Sequence, residues 1–122
     1  MLIGRLSEVI LFVEDMGTQA QFYRDKLGLQ VVHPRGMDDL SGQFWVSLDT
    51  GGCTLALHGG GKRRLGEDTP RLVFHVDDVD TAREELLERG VAMDAVRVIG
   101  PGVRVCDGRD PEGNKVSIQA GG

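Results

Sequence analysis

Residues 71–90 read RLVFHVDDVDTAREELLERG, and the reading of this stretch decides the fold. A run rich in β-branched and aromatic residues, 72–76, meets two acids, Asp77 and Asp78. A helical pattern follows. Val79, Ala82 and Leu86 recur at the spacing of one helix face. Asp78 or Asp80 stands where a carboxylate can accept the free amide hydrogens of a first turn. Gly90 stands where a left-handed residue closes a helix. The same grammar occurs once before. Residues 8–28 read EVILFVEDMGTQAQFYRDKLG, with a β-rich run, the acids Glu14 and Asp15, a helical stripe of Ala20, Tyr23 and Leu27, and a closing Gly28. One offset pairs Glu8 with Arg71, Phe12 with His75 and Asp15 with Asp78. The ends of the halves echo as well. DTGGCTLALHGG at 49–60 matches DPEGNKVSIQAGG at 110–122, which pairs Ala56 with Ser117 and His58 with Gln119. Two matches at nearly one offset indicate an internal duplication.

The rest of the chain fits around this repeat. The first strand is expected over 5–13. Both of its faces are apolar, which predicts cover on both sides. A second strand is expected over 29–33, ended by Pro34, and the polar, turn-rich stretch 34–42 reads as a mobile loop. Strands over 43–48 and 53–58 form a hairpin around Asp49-Thr50-Gly51-Gly52. Residues 59–69, with GGGKRR, read as a linker, and Lys62, Arg63 and Arg64 as its solvated charges. The second half repeats the order, with a strand over 72–76, the helix, a strand over 91–99 split at Asp94, and a final hairpin of 103–107 and 115–119. Each unit is therefore β-α-β-β-β. The predicted class is α+β, two tandem βαβββ units with mixed or antiparallel sheets. Residues 1–122 read as one domain, with unit one over 5–58 and unit two over 70–120.

A unit of roughly 60 residues is marginal alone because its surface is large for its volume. The halves are therefore expected to share a core with each other or with a second chain. Short strands leave edges that a second copy would cover, so a homodimer is expected. The net charge of −5 counts against nucleic acid, which needs a basic face. No apolar run approaches the length of a membrane span, and no signal-peptide pattern is visible. The expectation is a cytoplasmic protein in which Cys53 and Cys106, one per half, are reduced thiols.

The repeated unit, the V-x-D ends of both first strands, the F-Y-x-x-x-L-G-L run at 22–29 and the D-P-x-G-N turn at 110–114 together resemble the vicinal oxygen chelate superfamily. That superfamily holds glyoxalase I, bleomycin-resistance and extradiol dioxygenase proteins. The resemblance covers about residues 6–119. It implies small curved sheets around a cleft. In the metal-dependent members, a divalent ion in that cleft chelates neighbouring substrate oxygens and stabilises an enediolate or a similar anion.

Carried over residue by residue, the implied ligand positions fall on Glu8, Ala56, Arg71 and Ser117. Only Glu8 is a competent ligand. Ala56 has no donor atom, and Arg71 is a permanent cation that would repel the ion. The departure is coherent if a Glu8–Arg71 ion pair replaces the metal. A second ligand set is conceivable. Strand alternation puts His58 on the face of Ala56, His75 on the face of Arg71 and Gln119 on the face of Ser117. Glu8, His58 and His75, with Gln119 as a weak fourth group, would suit zinc, nickel, iron or manganese. The plainer reading makes both histidines pocket-lining polar groups or satisfied core residues. Phe12, Phe44, Trp45 and Phe74 read first as core, with Phe12 at the cleft and Trp45 placed to cover a flat ligand. Cys106 is a candidate cleft thiol without an evident base.

Three function classes follow. The favoured one is a metal-free protein that binds a small molecule in a cleft lined by Glu8, Phe12, Trp45, Ala56, His58, Arg71, His75, Ser117 and Gln119. The second is a divalent-metal-dependent lyase, isomerase or dioxygenase acting on a vicinal-oxygen substrate. The third is a metal-free enzyme with Glu8 or a histidine as general base.

Overall fold

The computed structural model describes residues 5–61 and 69–121. Lys62, Arg63 and Arg64, with most of the expected linker, lie outside the described residues. The chain divides into two compact units, Met1–Arg63 and Arg64–Gly122. In the first, strand β1 is Glu8–Val13, helix α1 is Met16–Gln21, and strands β2, β3 and β4 are Gln30–His33, Trp45–Asp49 and Thr54–Gly59. In the second, β5 is Arg71–His75, α2 is Val79–Glu88, and β6, β7 and β8 are Arg97–Gly100, Val103–Arg109 and Lys115–Ala120. Each unit is the expected β-α-β-β-β, and the class is α+β.

Each sheet is mixed and open, ordered β1-β4-β3-β2 and β5-β8-β7-β6. The first and last strands of each unit run parallel, and the remaining pairs are antiparallel. The registers reproduce the duplication. Glu8 pairs with Thr54, Ile10 with Ala56 and Phe12 with His58. Their counterparts Arg71, Val73 and His75 pair with Lys115, Ser117 and Gln119.

One face of each sheet packs on its helix. In unit one Val13, Val46, Leu48, Leu55 and Leu57 are buried there, with Ala20 and Tyr23 of the helical segment. In unit two Val116, Ile118 and Cys106 meet Val79 and Leu86 of α2. Asp15 and Asp78 cap the helices, accepting from the backbone N–H of Thr18 at 3.1 Å and of Thr81 at 3.3 Å. The Thr18 amide, and then its hydroxyl, hold the Asp15 carboxyl below its ordinary pKa.

Four expectations need correction. The first helix does not run regularly to Leu27. After Gln21 it widens into a π-helical turn, Phe22–Lys26, in which Leu27 N donates to Phe22 O at 3.0 Å. The wider turn shifts the buried stripe, so Phe22 is buried at 4% exposure and Leu27 is only half-buried. The first strand begins at Glu8 and is not covered on both sides. Its face away from the helix leaves Ile10 at 41% and Phe12 at 53% exposure. Residues 34–42 are anchored rather than loose. Leu40 is buried, Arg24 Nη1 donates to Asp38 O at 2.8 Å, and a Cβ on Gly17 would lie 2.9 Å from Ser41 Cβ. Cys106 lies on the helix side of its sheet, opposite Ile118, with its thiol donating to Asp94 O at 3.1 Å. Burial pushes that thiol up from its ordinary pKa, the reverse of what a nucleophile needs.

Gly61 extends β4 against β1, its N–H donating to Val13 O at 2.9 Å. A Cβ there would meet backbone, 2.7 Å from the Phe12 carbonyl carbon and 2.8 Å from Val13 N. Gly61→Ala should therefore lower stability by about 1–3 kcal/mol, because the strand itself would have to move. Gly42→Ala, whose Cβ would meet nothing within 4 Å, should be near neutral in the same urea titration.

Candidate functional site

The predicted site residues fall on two sheet faces, one in each unit, both turned away from the helix. In unit one the alternation of β1, β3 and β4 brings Glu8, Ile10 and Phe12 alongside Thr54, Ala56 and His58, with Trp45 and Ser47 next to them. His58 is the centre of an aromatic cluster. Ring centroids lie 4.8 Å away in Phe12, 4.9 Å in Phe44 and 5.7 Å in Trp45, and the last two rings stand edge-on to the imidazole. His58 Nδ1 is 2.6 Å from Gly59 O. A carbonyl only accepts, so Nδ1 carries the hydrogen of this contact. Trp45 Nε1 donates to Ser47 Oγ at 2.9 Å, which fixes the indole.

Phe44 belongs to this cluster, although simple alternation along a strand starting before Trp45 puts it on the other face. It precedes β3, and its carbonyl accepts from Gly59 N at 2.8 Å. A Cβ on Gly59 would lie 3.0 Å from the Phe44 ring, so glycine there makes the space for it. Phe12, placed at the cleft, and Phe44, read as core, both stand outside the core, which corrects the second reading. They are 53% and 64% exposed. Two large rings held in water beside a half-buried imidazole form an apolar surface of the kind that takes a ligand or a partner.

In unit two the face carries Arg71, Val73 and His75, then Lys115, Ser117 and Gln119, with Val105, Asp107 and Arg109 on the next strand. Its centre is Asp107, which sequence reading passed over. Ser117 Oγ donates to Asp107 Oδ1 at 2.6 Å and accepts from Arg71 Nη1 at 2.9 Å. Arg71 Nη1 also reaches Asp107 Oδ1 at 3.2 Å, and Arg97 donates twice to Oδ2, from Nη2 at 2.7 Å and from Nε at 3.2 Å. Burial alone would push the Asp107 carboxyl up. The bonds from Ser117 and Arg97 and the charges of Arg71 and Arg97 outweigh it and hold the carboxyl below its usual value. His75 is exposed, with Nε2 3.3 Å from Asp77 Oδ1, and Gln119 is half-buried opposite it.

The side chains at the implied ligand positions fit a glyoxalase-type metal poorly. Ala56 is fully buried and offers no donor. Arg71 is a fixed cation engaged by Asp107, and Ser117 gives its one proton to the same carboxylate. Among the described residues, no group of three or more His, Cys, Asp and Glu side chains is gathered as metal ligands would be. Within unit one, Glu8 stands opposite Thr54 and His58 opposite Phe12, roughly 13 Å apart along the strands.

Tandem βαβββ units, each with a parallel pairing of its first and last strands and backed by one helix, define a class of α+β proteins. Within that class, the chain belongs to the Glyoxalase/Bleomycin resistance protein/Dioxygenase superfamily, whose family model matches residues 5–118. Solved structures share the fold at low identity. SMU.1112c superposes with a TM-score of 0.81 at 22% identity over 98% of this chain and 100% of that one. A lactoylglutathione lyase from Agrobacterium tumefaciens gives 0.72 at 22% identity over 95% and 92%. TnmS3, an antibiotic-binding protein from Streptomyces sp. CB03234, gives 0.74 at 24% identity over 97% and 96%. Among proteins with curated descriptions, none matches this sequence. No helix among the described residues is long and apolar enough to cross a membrane.

Proposed function

We propose that this chain is a small-molecule-binding protein of its superfamily that works without a metal of the glyoxalase type. The observation that carries the reading is the aromatic cluster of Phe12, Phe44 and Trp45 around His58. Rings at these separations accept a flat, apolar ligand by stacking, and His58 and Ser47 supply polar atoms that orient it. The donor-poor set at Ala56, Arg71 and Ser117 supports the absence of a chelated metal, and the antibiotic-binding structural relative shows that the fold can serve as a binder. The same reading takes the protein as a homodimer, because Val73, Val98 and Ile99 leave apolar surface in water.

Trp45 is the only tryptophan, so its fluorescence reports on this face directly. Titration with a panel of planar aromatic compounds should give saturable quenching. Phe12→Ala and Phe44→Ala should each weaken the binding by about tenfold, the order expected for one lost ring contact plus its buried area. Binding that is unchanged in the Phe12→Ala, Phe44→Ala double variant would place the ligand elsewhere. A near-stoichiometric divalent metal in the purified protein, lost in Glu8→Gln, would instead favour a metal-dependent lyase, isomerase or dioxygenase.

A further inference from the structure

The second unit holds a feature that the aromatic face does not use. At one end of its helix-distal sheet face is a concavity of about 280 Å³, lined by Arg71, Asp94, Asp107, Arg109 and Lys115 with the backbone of Gly108. Three cations and two carboxylates meet there, in a chain whose net charge is −5. Asp107 is shared between these cations and Arg97, which lies outside the lining. Both hydrogen bonds of Arg71 leave from Nη1, to Ser117 and Asp107. Among the described residues, its Nε and Nη2 groups donate to nothing. The guanidinium is thus held by one nitrogen with its other donors still to be used. Arg109 is tied to Gly113 O by Nη1 at 3.0 Å, which fixes a second guanidinium at the same rim.

We infer that this concavity is an anion-binding subsite, taking the carboxylate or phosphate group of a small ligand on Arg71, Arg109 and Lys115. The chemistry follows from the parts. A guanidinium presents paired N–H donors that match two oxygens of a carboxylate or phosphate, and an ammonium adds charge without fixed direction. The volume suits a head group rather than a whole drug-sized molecule. Asp107 and Ser117 act as positioning residues. By holding Nη1 they set the plane of the Arg71 guanidinium and reduce the ordering that binding would otherwise require. The site is made of unit-two residues alone, so it stands or falls separately from the aromatic face of unit one.

The test is a titration of the full chain with sodium phosphate and, separately, sodium acetate, at fixed pH and against sodium chloride of equal ionic strength. Melting temperature and backbone amide shifts are read together. Both anions should give saturable shifts centred on residues 92–94 and 107–109, beyond any shift with chloride. Phosphate binding more tightly assigns a phosphorylated ligand class, and acetate binding as tightly or more so assigns a carboxylate. Arg109→Gln and Lys115→Gln, both at the rim, should each weaken the titration at least about fivefold, the loss of one partly exposed charge-assisted contact. Arg35→Gln, an exposed change in unit one, should leave it unaltered. Shifts no larger than those with chloride, or rim variants that titrate like the wild type, would overturn the inference. The amide map keeps the test valid even if one variant folds poorly.

Discussion

An Asp110→Ala variant should lose about 2–4 kcal/mol of unfolding free energy. The D-P-E-G-N turn between β7 and β8 is held by one buried carboxylate, 4% exposed. Asp110 Oδ1 accepts from the backbone N–H of Asn114 at 2.9 Å and of Glu112 at 3.0 Å, and Oδ2 accepts from Asn114 Nδ2 at 2.7 Å. Asn114 is itself buried, so truncating Asp110 leaves two buried donors without their acceptor. That costs more than the bonds are worth in isolation. The matching turn in unit one gives the comparison. Asp49 Oδ1 accepts from Gly51 N at 2.8 Å, but at an exposed site. Asp49→Ala should cost well under half as much, because water replaces the lost acceptor. Urea titrations of both variants decide the matter, and equal losses would mean that burial of the turn contributes nothing.

Asp107→Asn should be less stable than the wild type by about 2 kcal/mol at neutral pH, since it replaces a carboxylate that accepts bonds from two guanidinium groups and a hydroxyl. The pH dependence identifies the cause. The folded pKa of Asp107 is depressed, so its contribution is fully present above the unfolded value of about 3.9 and is lost as pH falls through the folded one. The gap between wild type and variant should hold steady from neutral pH to about 4 and close below that. A gap that persists unchanged into strong acid would mean that packing, not charge, supports the cluster.

Most of the architecture was legible in the sequence because the duplication writes it twice. The Asp15 cap, the closing glycines and the order of elements along the chain read correctly, Asp78 rather than Asp80 caps the second helix, and the paired registers of Glu8 with Thr54 and Arg71 with Lys115 repeat the offsets seen between the halves. What escaped was set by tertiary contacts. The π turn at Phe22–Lys26 follows no local composition signal. The loop over 34–42 looks free by its polar residues, yet the single Leu40 anchors it. At the site, the donor-poor side chains of Ala56 and Arg71 were legible from the sequence alone. Asp107 was not, because its counterpart in unit one is Ser47, opposite Ala56, and no repeat marks it. Phe44 was missed for a similar reason. Its place depends on the space left by Gly59, not on strand parity.

The parallel pairing of first and last strands also sets the order in which each unit can form. The β3–β4 and β7–β8 hairpins join neighbouring stretches of chain and close short loops, whereas β1 must find β4, and β5 must find β8, across almost the full length of a unit. Loop closure disfavours the long-range pairing until the hairpin and helix have reduced the search. Changes in the hairpin turns, Asp110 among them, should therefore slow folding more than they speed unfolding. Changes on β1 or β5 should mainly speed unfolding. Phe12 and Arg71, on which the proposed ligand recognition rests, sit on the strands expected to dock last. Ligand that bridges them to the rest of their own sheet would slow unfolding more than it speeds folding.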